Sequence, residues 1–295
     1  MVGAKMAYLL SDNETKRLQE KSLEMYKFFK DFCKKHNLTH FFCGGCLIGA
    51  VRESAFIPWD DDIDIFMPRE DYEKLVAIFN KEANSNRYFL QVSEKGKLTK
   101  NLFATICDSE TTFIKTYQAD LDINHGIVLD ILPIDGCPDS KFKRLMQIKN
   151  ALFYSLYLIG EAPKNNGKLV FLAGKILLSL VPFKSLRFKI AQRNKRKMTK
   201  YSLYDCEFTT ELCSGPYYMK KKYYSADFKE VVYLDFEGIK IPAPKGYDDY
   251  LTKAFGDYMT LPPEKERICH HELEFVDTDN SYINYKGKYY FNGGN

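Results

Sequence analysis

Gly44-Gly45, followed by Pro58-Trp59-Asp60-Asp61-Asp62-Ile63-Asp64-Ile65, says most about the architecture and chemistry of this 295-residue chain. If Asp62-Ile63-Asp64-Ile65 is a strand, its period of two turns both carboxylates to one face and both isoleucines to the other. The acids then share a site while the apolar side anchors it. Two like charges this close are costly unless a hard cation such as Mg²⁺ neutralises them, with phosphate oxygens beyond it. The glycine pair follows the short apolar run Thr39-His40-Phe41-Phe42-Cys43. There a turn without Cβ atoms lets backbone N–H groups approach a phosphate closely. Plainer readings are weaker. An acidic cluster is most often a solvated turn, but the alternation with Ile63 and Ile65 argues against that. An EF-hand loop starting at Asp60 would put Ile65 where glycine is required and Asp71 where a glutamate belongs.

A third carboxylate extends the site. In Gly126-Ile127-Val128-Leu129-Asp130-Ile131-Leu132-Pro133-Ile134-Asp135 one acid interrupts a run that reads as a buried strand, so Asp130 must reach a cation or a donor. The alternative is an ion pair with a core Arg or Lys. Asp135, beside Gly136 and Pro138, reads as turn chemistry.

These segments closely resemble the LicD family of phosphotransferases. The resemblance rests on Gly44 to Arg52, on Phe56 to Ile65 with Met67-Pro68-Arg69, on Gly126 to Asp135, and on Tyr250-Leu251 through Met259 to Leu261-Pro262-Pro263-Glu264 and Arg267. It spans about residues 20 to 271. It implies an α/β (α+β) nucleotidyltransferase-like fold, a mixed sheet flanked by helices, shared with fukutin-related proteins. It also implies an enzyme that moves a phospho-alcohol, phosphocholine-like, from a CDP-linked donor to a hydroxyl of a cell-surface glycan such as lipopolysaccharide or teichoic acid, or of its lipid-linked precursor, releasing CMP. Asp62, Asp64 and Asp130 would be both catalytic residues and ligands of Mg²⁺ or Mn²⁺. Two departures stand out. Cys46 replaces a small or hydroxylated residue, and Thr105 and Cys107 occupy places that are often basic, so a positive charge toward donor or acceptor is missing there. A nucleotidyltransferase moving NMP from an NTP, and a non-catalytic glycan- or nucleotide-binding module, are the competing functions.

The expected donor contacts are Gly44, Gly45, Arg52, Trp59, Arg267 and His270. Arg52 is placed to neutralise a phosphate or to sit in a surface ion pair. Trp59 walls the nucleotide or simply packs. Lys265, Arg267, His270 and His271 follow Pro262-Pro263 and are placed to close over the donor, although adjacent histidines in a strand point apart, so at most one reaches the site. A choline-like cation would need an aromatic cage; 21 Tyr and 22 Phe supply the material without locating it.

The remaining organisation follows from periodicity. Leu18, Ser22, Met25, Phe29 and Phe32 mark an amphipathic helix before the first strand, and Arg69 to Phe79 a second one after the acidic strand. Strands are expected near Tyr88–Val92 and Leu102–Cys107, a hairpin at Val231–Tyr233 and Ile239–Ile241 turning at Glu237-Gly238, and a last helix from Tyr247 to Phe255 stopping at Gly256. This divides the chain into a catalytic core over 1–140, a mainly helical insertion over 141–225, and a C-terminal hairpin and helix over 226–295 that return to the core. Composition, 45% hydrophobic and 28% charged, fits a folded enzyme. No export signal is recognisable, and eight scattered cysteines fit reduced thiols, so a cytoplasmic location at the inner membrane face is expected. Cys43-Gly-Gly-Cys46 reads as two incidental buried thiols. Lys184 to Lys200 holds eight Lys or Arg and no acid directly after the apolar Leu169 to Val181, which suggests peripheral contact with an anionic membrane. A net charge of only +4, without aromatic interleaving of the patch, speaks against nucleic acid.

Overall fold

The computed structural model describes residues 8–164, 167–269 and 271–292. A long helix, α1 (Asp12–His36), opens the fold: Ser11 and Glu14 form a capping box at its start, and Asn37 closes it in the left-handed conformation. Its face of Leu18, Ser22, Met25, Phe29 and Phe32 is buried, and burying each of the larger apolar side chains is worth roughly 1.5–3 kcal/mol. The helix packs on the sheet, as its apolar spacing predicts.

The next elements are β1 (Phe41–Phe42), α2 (Gly44–Arg52), β2 (Ile63–Pro68), α3 (Arg69–Glu82), β3 (Tyr88–Gln91), β4 (Ala104–Asp108), β5 (Thr112–Lys115) and β6 (Ile127–Cys137). The insertion contributes α4 (Lys141–Ile159), α5 (Lys168–Ser179) and α6 (Lys184–Met198). The chain ends with β7 (Phe208–Glu211), β8 (Tyr223–Tyr224), the hairpin β9 (Val231–Phe236) and β10 (Ile239–Pro244), α7 (Tyr247–Phe255) and β11 (Leu273–Asp277). The main sheet has the order β1-β2-β6-β4-β3, with β7 and then β8 added beside β6. It is mixed: β2 runs parallel to β6, whereas β1, β4, β7 and β8 pair antiparallel. Two smaller antiparallel sheets, β9 with β10 and β5 with β11, lie outside it. The class is mixed α and β, as expected.

Three details depart from expectation. Gly44-Gly45 is the first turn of α2 rather than a free turn, with Gly44 at φ +59°. Asp135 is not in a turn. Strand β6 runs on to Cys137 and buries Asp135 completely, and Arg69, at the start of α3, donates two bonds to it at 2.8 and 2.7 Å. Gly136 and Pro138 suggested a turn, but the sequence does not display a partner sixty-six residues away. Finally, β7 falls within 141–225 yet belongs to the main sheet, because Phe208 to Glu211 pairs antiparallel with Ile134 to Cys137. Its Thr209, Thr210 and Glu211 are polar and buried, so it has no apolar alternation to give it away.

Candidate active site

The parallel pairing of β2 with β6 builds the site, since its register sets Asp64 directly beside Asp130. Ile63 and Ile65 are fully buried on the other face. Carboxylate oxygens of Asp62, Asp64 and Asp130 all lie within 4.8 Å of one another. Burial, then the charges of Asp61 and Asp130, raise Asp62 to about 6 against the opposing pull of His271 and Lys115. Asp64 is raised well above the carboxylate range by burial first and then by Asp62, Asp130 and Asp60. The fold thus holds three hard oxygen donors together at an electrostatic cost that a divalent cation would offset, a donor set that fits Mg²⁺ or Mn²⁺.

Asp130 also reaches two donors. Thr105 Oγ1 donates to it at 2.7 Å, and Lys115 Nζ, on β5, stands 3.4 Å away. Burial pulls the Lys115 ammonium down, but Asp130, followed by Asp62 and Asp64, more than compensates and raises it. The core ion pair and the three-carboxylate cluster therefore coexist at one acid. Lys115 supplies a positive charge beside Asp130, the acid that Thr105 also contacts.

A second layer comes from the segment before β11. His271 Nδ1 bonds Asp61 at 3.0 and 3.1 Å, and its Nε2 faces Asp62 at 3.7 Å. Burial and Lys115 depress the imidazole, yet the bond to Asp61 and the charges of Asp62 and Asp61 prevail and raise it. Asp61, despite burial, is lowered by the same His271 contact. Phe113 packs edge-on against the ring at 5.4 Å. His270 lies outside the described residues.

On one side of the acids is a cleft of about 780 Å³, walled by Gly44, Gly45, Arg52, Trp59, Asp60 and Lys265 among others. The N-cap Cys43 makes no side-chain bond, and among the described residues only the Gly44 N–H is taken, by the Tyr250 hydroxyl at 3.3 Å, so the following N–H groups of the first turn are left for a ligand with the positive end of the helix dipole behind them. Glycine suits both positions, Gly44 through its backbone conformation and Gly45 through its closeness to the Asp60 side chain. A Cβ on Gly45 would sit 2.2 Å from Asp60 Oδ2, and one on Gly44 would lie 3.4 Å from Asp64 Oδ2 at a φ that L-residues rarely adopt. Arg52 closes α2, held by Glu53 at 2.9 Å while still lining the cleft. The Arg267 guanidinium sits 5.8 Å from the Trp59 ring and bonds the Pro262 carbonyl at 2.9 Å. Cys43 and Cys46 are buried thiols that burial pushes up, and Cys46 donates to the Cys43 carbonyl at 2.9 Å. A second cleft of about 900 Å³, lined by α4 and α5, reaches the same acids and shares Asp62, Asp64 and His271 with the first.

The residues that sequence reasoning left without a role are Lys115, Thr105, Asp61 and Glu211. Lys115 carried a signal: Thr112-Phe-Ile-Lys is a short buried run ending in a lone charge, the logic that singled out Asp130.

Two acids at the start of one strand and a third on its parallel neighbour, beside a glycine-started helix, are the arrangement of a nucleotidyltransferase-type domain. Residues 37–131 match the family profile described as LicD/FKTN/FKRP, nucleotidyltransferase domain. The chain is 29% identical over 269 residues to the lipopolysaccharide cholinephosphotransferase LicD of Haemophilus influenzae, covering 85% of this chain and 94% of that protein. Residues 37–131 thus carry a domain similar to that of the LicD family, and the similarity over most of both chains supports a LicD-type phosphotransferase. It is also 29% identical over 147 residues to an uncharacterised protein of Rickettsia typhi, covering 48% and 44% of the two chains. Mannosyltransferase regulator 4 of Saccharomyces cerevisiae is 25% identical over 183 residues, which cover 59% of this chain but 15% of the yeast protein.

Proposed function

We propose that the protein transfers a phospho-alcohol, phosphocholine in the first instance, from a CDP-linked donor to a glycan hydroxyl, releasing CMP. The similarity to a lipopolysaccharide cholinephosphotransferase over most of both chains supports the alcohol and the acceptor class. The observation that carries the chemistry is the Asp62, Asp64 and Asp130 cluster between two clefts. Those three side chains would hold Mg²⁺ or Mn²⁺. The bound ion would draw charge from the donor diphosphate and its leaving group. The chain's own residues do the rest by positioning and charge, which suffice for phosphoryl transfer. N–H groups at the start of α2, with Arg52, Lys265 and Arg267 on Trp59, hold the nucleotide diphosphate. Lys115 keeps Asp130 oriented, and Asp130 accepts the hydrogen bond of the incoming hydroxyl from the α4–α5 cleft and takes its proton. His271, fixed by Asp61, limits how the Asp62 carboxylate turns.

The acceptor would be presented at a membrane surface on the cytoplasmic side. Among the described residues no single helix is long and apolar enough to cross a bilayer, although α5 and α6 form one bent pair at 116°. On α5 and its following turn, Leu169, Leu172, Ile176 and Leu180 are exposed, and no Asp or Glu occurs from residue 162 to 204. An apolar strip edged by bases suits an anionic headgroup layer. Incubating the purified chain with a panel of CDP-alcohols, Mg²⁺ and a lipid-linked glycan acceptor, followed by mass spectrometry, tests the assignment. A phosphodiester on the glycan, abolished by EDTA, is expected; an unmodified acceptor with every donor refutes it.

A further inference from the structure

Glu211, at the end of β7, is a buried carboxylate that the steps above do not use. It is 4% exposed, and the Tyr223 hydroxyl donates to it at 2.6 Å. Among the described residues no basic side chain forms an ion pair with it. An acid buried without a cation is costly, and burial lifts this one to about 7. Glu211 nevertheless lines the donor cleft together with Tyr218, Tyr250 and Phe255. Those rings form an angled wall: Phe255 lies 6.3 Å from both Tyr218 and Tyr250, at 57° and 83°. The Tyr250 hydroxyl accepts the Gly44 N–H at 3.3 Å, and Gly44 in turn abuts Asp64. The aromatic wall and the unpaired acid thus begin one residue's width from the cluster that would hold the diphosphate.

A quaternary ammonium cannot donate a hydrogen bond, so proteins hold it with ring faces and a nearby negative charge. We infer that Glu211, Tyr218, Tyr250 and Phe255 form the subsite for the cationic head of the transferred phospho-alcohol, and that this subsite makes the enzyme prefer a quaternary ammonium over a neutral polyol. The inference rests on the phosphotransfer reading for the donor, but its test does not require turnover. The order along the cleft fits a phosphocholine unit: diphosphate at α2 and the acids, a short ethyl linker, then the cation against the rings. A neutral polyol would leave the carboxylate unpaired and gain little from the ring faces.

Calorimetric titration of the full chain, without acceptor, with CDP-choline, CDP-glycerol, CMP and tetramethylammonium separates the contributions. CDP-choline is expected to bind at least about tenfold more tightly than CDP-glycerol, the ratio a desolvated cation–π and carboxylate site provides. Glu211→Gln, which keeps an acceptor for Tyr223, and Tyr218→Leu, at a half-exposed ring, should each remove most of that preference. CMP affinity should change by less than about twofold in both, since neither residue is assigned to the nucleotide. Circular dichroism melts verify that each variant is folded. Saturable tetramethylammonium binding that is lost in Glu211→Gln supports the subsite even if no CDP-alcohol is turned over. Equal affinity for the two CDP-alcohols, or a preference that survives both substitutions, overturns it; if CDP-glycerol is then transferred, the phosphotransfer reading stands without the subsite.

Discussion

Asp130 and Asp135 lie five residues apart on one strand, and the structure assigns them opposite fates that a pair of isosteric variants separates. An odd separation along a strand places them on opposite faces. Asp130 faces Asp64 and Lys115, while Asp135 faces Arg69 under α3. Asp135→Asn removes the negative half of a bidentate pair bonded at 2.8 and 2.7 Å and leaves a guanidinium that is 6% exposed. Breaking a buried pair from one side costs about 3–5 kcal/mol. Glu73 stands 3.3 Å from the same guanidinium but is half exposed and shared with Lys195, so it offsets little, and a value near the lower end is expected. Urea unfolding should therefore show a loss of about 3 kcal/mol, or a drop in Tm on the order of 10 °C, with activity per folded molecule near wild type. Asp130→Asn should do the reverse. Although Lys115 loses its buried partner, stability should move by less than about 1 kcal/mol, because the substitution also relieves the repulsion Asp130 exerts on Asp62 and Asp64, and both still act on Lys115, whereas turnover should fall at least about a hundredfold. A stable, inactive Asp135→Asn, or an Asp130→Asn that is active and merely less stable, would refute the assignment of the two acids.

Asp62→Asn and Asp64→Asn should each lower turnover by at least about a hundredfold, the scale for losing a principal electrostatic contact, without lowering Tm; near-normal turnover in either would remove them as metal ligands. Glu211 gives a pH signature: its folded pKa, about 7, lies above the ordinary 4.5, so the folded state holds the proton more tightly and stability declines as pH rises from about 4.5 through 7. Glu211→Gln should leave stability unchanged near pH 4 and raise it by roughly 3 kcal/mol near pH 8, and equal effects at both would show that the acid is not titrating there. Vesicle co-sedimentation should show binding to anionic but not zwitterionic lipid that weakens with salt and drops in Leu172→Gln/Ile176→Gln and in Arg193→Gln/Lys197→Gln; unchanged sedimentation would leave this a solvated face.

Much of this was legible because it is written in local periodicity. The Ile63-Asp64-Ile65 alternation of β2, which starts one residue after Asp62, the helical spacing from Leu18 to Phe32, the Glu237-Gly238 turn with both residues at positive φ, and the arrest of α7 at Gly256 all appear where their patterns place them. What was hidden depends on pairing across the chain. Asp135 looked like a turn residue because its partner is on α3. Strand β7 carries Thr-Thr-Glu toward the interior and so lacks an apolar signature. Lys115 reaches Asp130 through a small sheet formed with β11, whose sequence lies far along the chain. His271, one of two neighbouring histidines, is selected by the loop that brings it against Asp61 rather than by strand alternation.

Which phosphorus is attacked separates a phosphotransferase from a nucleotidyltransferase. With CDP-choline, Mg²⁺ and a glycan acceptor, attack on the distal phosphorus should release CMP in step with phosphocholine appearing on the glycan, and both should stop in Asp64→Asn. Pyrophosphate released from CTP, with no CMP formed from CDP-choline, would contradict the account and make the protein a nucleotidyltransferase.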